Sequence, residues 1–199
     1  LEESSNYIEE DIDRQHGTNV GSILAYGPIF NENHLGIEGV KFISCVIGNK
    51  IVDETQLIIV LEENLKKYSD KIKIWNLSLG SDKEIFDDKF SDLAIQLDIL
   101  QKKYNVLFIK TTGNCTKMKN TKINRGAESL RSLTIGSISP GEQSWSPKGK
   151  LSSFSKVGPG LANVVKPDLV YYGGDVSNKD FCGMKILTKD GKRVKNVGT

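Results

Sequence analysis

A chain of 199 residues, 38% hydrophobic and 26% charged, is long enough to bury one core of ordinary size, which excludes a disordered or collagen-like polymer. Its 27 Lys and Arg against 25 Asp and Glu leave a formal net charge of +2, and no basic block is interleaved with aromatics, so no nucleic-acid partner is expected. No apolar run nears the roughly 20 residues that span a bilayer, and the opening LEESSNYIEEDID is acidic where a signal peptide is basic and then apolar, so no membrane partner is expected either.

The first periodic segment lies in RQHGTNVGSILAYG, Arg14 to Gly27. Val20, Ile23 and Leu24 recur at helical spacing while Gly21, Ser22 and Ala25 form a small-residue face, predicting a short, closely packed helix that begins at His16. GVKFISCVI, Gly39 to Ile47, is β-branched and aromatic and too short for a stable helix, predicting a buried strand. Asp53 precedes Gln56 at capping-box spacing, and Leu57, Leu61, Leu65 and Tyr68 continue as one helical stripe. In IKIWNLSLGS, Ile72 and Ile74 alternate with Lys73, predicting a strand that opens into a loop at Ser78.

Phe90, Leu93, Leu97, Leu100 and Tyr104 mark a second long helix, with Asn105 placed for a C-terminal cap. VLFI, Val106 to Ile109, is apolar on both parities, as a strand covered on both faces would be, and SLTIGSIS, Ser132 to Ser139, predicts another strand. From Ser139 to Gly160, Ser, Gly, Pro and Lys dominate, predicting a surface loop with one short extended piece around Phe154. Asp190-Gly191 between two extended runs predicts a hairpin. Strands alternating with helices imply an α/β fold with a mostly parallel sheet, helices on both sides, and any site at the carboxyl ends of the strands.

Three segments are small, polar and glycine-containing where an apolar element starts or stops: HGT at His16, NLSLGS at Asn76 to Ser81, and TTGN at Thr111 to Asn114. Taken alone, His16 is either a catalytic base or an ordinary turn histidine. Asn114 is either a fixed amide donor or the turn residue that a Gly-Asn step commonly supplies, and Ser78 to Gly80 are either a peptide-binding edge or a plain strand end.

Together, the segments resemble the subtilisin-like serine proteases, the subtilases. HGTNVG resembles that family's HGTHVA, with Asn19 and Gly21 as departures, NLSLG its NMSLG, and TTGN its AAGN. SFSKVGP, Ser153 to Pro159, resembles SFSSRGP, and KPDLVYYGG, from Lys166, resembles KPDLVAPG, with Tyr171 and Tyr172 departing from the pattern. The resemblance runs from about His16 to Thr199 and implies a three-layer sandwich around a mostly parallel sheet, incomplete at both ends, in a single truncated catalytic domain over 1–199.

In function it implies a serine endopeptidase acting by a Ser-His-Asp mechanism. His16 becomes the general base, Asn114 the oxyanion donor, and Ser78, Leu79, Gly80, Thr112 and Gly113 the substrate-binding residues, with a peptide or protein as partner and no cofactor. Asp11 and Asp13 match the acidic loop before HGT rather than the triad aspartate. The chain stops at Val197-Gly198-Thr199 where the family's nucleophilic serine would follow. Aspartate and serine are therefore expected in flanking segments of the parent chain, and the piece alone is expected to be inactive.

A subtilase-like pseudoenzyme serving as a peptide-binding or scaffold module is the alternative, and an unrelated parallel α/β domain would require all the motifs to be accidental. Lys110 stands where the family has a small apolar residue and bears on local packing. Cys115 beside Asn114 reads as a buried, inert thiol, and Cys45, Cys115 and Cys182 form no CxxC pair, which fits a reducing compartment. Asn31, Glu32 and Asn33 in the loop Phe30 to Gly36 read as a turn, so no metal is expected.

Overall fold

A computed structural model describes residues 2–4, 14–31, 40–47, 53–79, 81–115 and 121–198. In chain order its elements are β1 (Glu2–Ser4), α1 (Arg14–Phe30), β2 (Ile43–Cys45), α2 (Glu54–Tyr68), β3 (Ile74–Leu77), α3 (Asp92–Tyr104), β4 (Leu107–Thr111), β5 (Leu133–Ile138), β6 (Leu169–Tyr172), β7 (Asp175–Val176), β8 (Phe181–Cys182), β9 (Met184–Leu187) and β10 (Arg193–Asn196). The fold is α/β with a mostly parallel central sheet accompanied by helices. Two units divide it: Leu1–Asp53 with Gly183–Asn196, and Glu54–Cys182 with Val197–Thr199.

The larger unit carries the sheet, ordered β3-β4-β5-β6 and parallel throughout. The predicted leucine stripes are its helical core: Leu57, Leu61, Leu65 and Tyr68 of α2 and Leu93, Ala94, Leu97 and Leu100 of α3 are all buried. Each fully buried leucine contributes roughly 1.5–3 kcal/mol. Ser91 caps α3 by accepting the Ala94 N–H at 3.2 Å, and Asn105 ends it in the left-handed region at φ 50° and ψ 57°, as its position predicts. Gln101 ties α3 to the sheet, accepting the Phe108 N–H at 2.9 Å and donating to Ser132 Oγ at 3.1 Å.

Burial along β3 has the opposite parity to the isoleucine reading. Trp75 and Leu77 are buried while Ile74 is 66% exposed, the large indole taking the covered face with its Nε1 donating to the Ile72 carbonyl at 3.0 Å. On β4, Phe108 is buried and Leu107 is 38% exposed, so that strand is not closed on both faces. β6 was not among the strands expected, although Leu169-Val170-Tyr171-Tyr172 has strand composition. KPD fixes it to β5: the buried Lys166 Nζ donates to the Ser132 carbonyl at 2.9 Å and to Asp168 Oδ2 at 2.7 Å, while Asp168 Oδ2 also accepts the Thr134 N–H at 2.7 Å.

The segment predicted as a surface loop between Ser139 and Gly160 is in part interior. Ser146, Ser152, Phe154, Ser155 and Lys156 are buried. Serine can be buried once its hydroxyl is paired. Ser152 N–H donates to the Ser137 carbonyl at 3.1 Å, Ser137 N–H to Ser155 Oγ at 3.1 Å, and the Ser137 and Ser152 hydroxyls lie 2.7 Å apart. Beneath them the buried Asp175 carboxylate accepts the Ser146 hydroxyl, the Ser153 N–H at 2.7 Å and the Val176 N–H at 2.9 Å. Burial works to raise the Asp175 carboxyl, but these hydrogen bonds outweigh it and hold it below the usual carboxylate range.

In the smaller unit, β1 pairs in parallel with β2, a strand within the acidic opening that composition conceals. β2 is shorter than expected and half-buried rather than buried. The helix also differs: α1 starts at Arg14 and runs 17 residues. Its buried residues are Gly21, Ser22 and Gly27, whereas Ile23 is 42% exposed, so the packed face is the small-residue one. Close approach explains this, since a Cβ on Gly21 would meet the Phe42 ring at 2.9 Å, and Ser22 Oγ accepts the Leu187 N–H at 3.0 Å. Pro28, lacking an N–H, frees the Leu24 carbonyl, which accepts from Val40 N at 3.5 Å. β9 and β10 form the predicted antiparallel hairpin around Asp190-Gly191, with Leu187 opposite Arg193. Among the described residues no helix is long and apolar enough to cross a membrane.

Candidate active site

Parallel pairing brings two of the three candidate segments together. β3 and β4 run side by side with Leu77 opposite Lys110, so Ser78-Leu79 and Thr111-Asn114 leave the sheet as neighbours at its carboxyl end. Ser78 and Leu79 are half-buried, and Ser78 Oγ accepts from Asn76 Nδ2 at 2.7 Å. Gly80 lies outside the described residues, as do 32–39, which carry most of the loop read as a turn. Asn31 closes α1, its amide donating to the Gly27 carbonyl at 3.0 Å and accepting the Lys185 N–H at 2.7 Å. Among the described residues no group of three or more His, Cys, Asp or Glu could hold a metal ion.

The TTGN segment is held from several sides. Thr112 is fully buried, its N–H donating to the Ile135 carbonyl at 3.1 Å and its carbonyl accepting the Asn124 N–H at 2.9 Å. Gly113 N–H donates to Thr111 Oγ1 at 3.1 Å, and its carbonyl accepts the Lys156 N–H at 3.2 Å. Asn114 is exposed and bridges Ser155 in antiparallel fashion, so its backbone is paired like a strand rather than turned. Cys115 N–H donates to the Phe154 carbonyl at 2.7 Å, and its half-buried thiol lies 3.2 Å from the same oxygen, more accessible than the buried thiol expected. The extended piece around Phe154 therefore positions Asn114, which gives the SFSK motif a structural task.

Gly113 has φ +97°, and a Cβ there would lie 2.3 Å from Asn124 Nδ2. Gly113→Ala is accordingly expected to cost about 3 kcal/mol, combining an unfavourable backbone region with overpacking. Urea unfolding of the purified chain measures it, and a loss under about 1 kcal/mol would contradict this account of the loop.

Three participants received no site role from the sequence. Asn124, buried against Gly113, carries no motif signal. Lys156 is buried and its Nζ lies 3.1 Å from Glu84 Oε1. Lys110, visible only as an odd residue in an apolar strand, is buried with its Nζ 2.5 Å from the Leu79 carbonyl oxygen. Tyr171 and Tyr172 pair at 5.3 Å between ring centroids at the end of β6. His16 is exposed in the first turn of α1, in the smaller unit, whereas the other candidates belong to the larger one.

Comparison with known proteins gives the context. The chain matches the model of the Subtilase family, Peptidase S8, over residues 2–196. A curated relative, the uncharacterized protein y4bN of Sinorhizobium fredii, is 29% identical, the match covering 51% of this chain and 31% of the relative. Among solved structures, the prenylagaramide maturation protease PagA superposes with TM-score 0.62 at 18% identity over 99% of this chain and 61% of its own. The patellamide maturation protease PatA gives TM-score 0.61 at 18% identity over 92% and 58%. The chain thus spans about three-fifths of these structures and under a third of the curated relative. Matched almost end to end, it belongs to the subtilase family.

Proposed function

We propose that the full-length protein is a serine endopeptidase and that residues 1–199 belong to its single, truncated catalytic domain. The carrying observation is the juxtaposition of Ser78-Leu79 with Thr112-Asn114 at the carboxyl end of neighbouring parallel strands in a chain of this family. In this reading a peptide adds along Ser78 to Gly80 as a further strand, and Thr112 and Gly113 line the pocket for the residue before the scissile bond. His16 takes the proton of the nucleophile and returns it to the leaving amine, while the Asn114 amide, which does not titrate, donates to the oxyanion of the tetrahedral intermediate. The triad aspartate and serine come from flanking sequence, in keeping with the partial span of the matched structures, and residues 1–199 alone do not hydrolyse peptides.

The competing reading, a pseudoenzyme that binds peptides or acts as a scaffold, has no use for an oxyanion donor, so the presence of both His16 and Asn114 disfavours it. The coding sequence after Thr199 tests the choice first, because the enzymatic reading requires a serine immediately next. A fluorophosphonate probe then labels the full-length protein, and replacing that serine with alanine abolishes the labelling. Absence of the serine, or of labelling in the folded protein, would sink the proposal.

A further inference from the structure

The parallel ladder between β3 and β4 pairs Leu77 with Lys110 as its last register partners. Beyond that point β3 no longer continues as a strand, yet Ser78 and Leu79 are the residues a peptide would have to add to. Phe108 and Lys110 share the buried face of β4, and Lys110 is 2% exposed. Its side chain runs along the β3 side, and the ammonium donates to the carbonyl of Leu79, two residues past the register partner. A charged donor on a neutral carbonyl is a stronger tie than a ladder bond, and the donor end of this one is buried.

We infer that Lys110 is a positioning residue: its buried ammonium, donating to the Leu79 carbonyl, holds the Ser78-Leu79 edge in the extended form that a peptide strand joins. The inference rests on the proposed peptide-binding role of that edge. Core stability gives no reason for a lysine here, since burying an ammonium is costly and an apolar side chain of similar length would pack with less penalty. Among the described residues, Glu128 is the charge that acts on Lys110 and favours its protonated form. Glu128 is itself buried, its Oε1 accepting the Ser91 N–H at 3.1 Å and the Ser91 hydroxyl at 2.5 Å at the start of α3. Burial outweighs that attraction and brings the Lys110 ammonium down to about 8. The tie is therefore at full strength at neutral pH and weakens as the ammonium loses its proton in mildly alkaline solution.

The test compares the full-length wild type with Lys110→Met by hydrogen exchange and by peptide-hydrolysis kinetics. At pH 7 the amides of residues 76–83 are expected to exchange about tenfold faster in Lys110→Met, while those of β4 and β5 and the thermal midpoint stay unchanged. KM for a peptide substrate is expected to rise about tenfold with kcat within about twofold, and the rise in wild-type KM between pH 7 and 9 should disappear in the variant. Equal exchange over 76–83 in the two proteins overturns the inference even if both are active. A wild type that hydrolyses nothing while the exchange difference persists leaves the tie standing and removes the enzymatic reading instead. Should Lys110→Met not fold, the wild type alone decides. Corrected for intrinsic base dependence, protection over 76–83 falls about tenfold between pH 7 and 9 while protection in β4 is constant, and constant protection in both overturns the inference.

Discussion

Replacing His16 with alanine in the full-length protein is expected to lower kcat on a peptide substrate on the order of 10⁶-fold, the scale seen when the base of a subtilisin triad is removed. His16 is exposed in the first turn of α1, and alanine is the better helix former, so stability should stay within about 0.5 kcal/mol. The loss should appear in kcat with KM little changed, because in the proposed mechanism the imidazole acts on the proton in flight rather than on the bound peptide. Steady-state kinetics with a thermal melt of each protein reads both quantities. A variant retaining activity within tenfold of wild type would remove His16 from the mechanism.

Asn114→Ala is expected to lower kcat by about 10²–10³-fold, the cost of deleting one oxyanion donor, with KM again nearly constant. The side chain is exposed while its backbone is clamped between Gly113 and the Ser155 bridge, so truncation leaves the loop in place. Asn114→Asp sharpens the comparison. The carboxylate has nearly the shape of the amide but sets a negative charge beside the developing oxyanion, so its kcat should fall at least as far. Equal rates for wild type and Asn114→Asp would show that no anion forms beside this residue.

Sequence legibility followed the physics of each element. Where one face of an element is covered by large aliphatic side chains, periodicity is unambiguous, and α2, α3 and the β9-β10 hairpin emerged as expected. In α1 the small-residue face read from Gly21 and Ser22 is the packed one, because the packed face is chosen by how near a neighbour must come, and Ile23 of the apolar stripe is left exposed. The serine-rich segment misled because a hydroxyl looks solvent-seeking until its partner is known. Those partners, Ser137, Gly174 and Asp175, are distant in sequence. The site was legible through its glycines and short polar motifs, which mark strand ends, but Asn124 and Lys156 act by contact and leave no periodic trace. Lys110 was visible as an anomaly, and only the reach of its Nζ to the Leu79 carbonyl reveals what the anomaly does.

The smaller unit is stitched from the two ends of the chain, and its Ser22 to Leu187 hydrogen bond closes a separation of 165 residues. On a ribosome adding about 5–20 residues each second, roughly 8–33 s pass between the appearance of the first partner and the second. The α2 to β8 stretch, by contrast, is continuous and has its own leucine core, so it can assemble during that wait. The helix bearing His16 is therefore made well before β9, and it waits for that partner while the intervening stretch is translated.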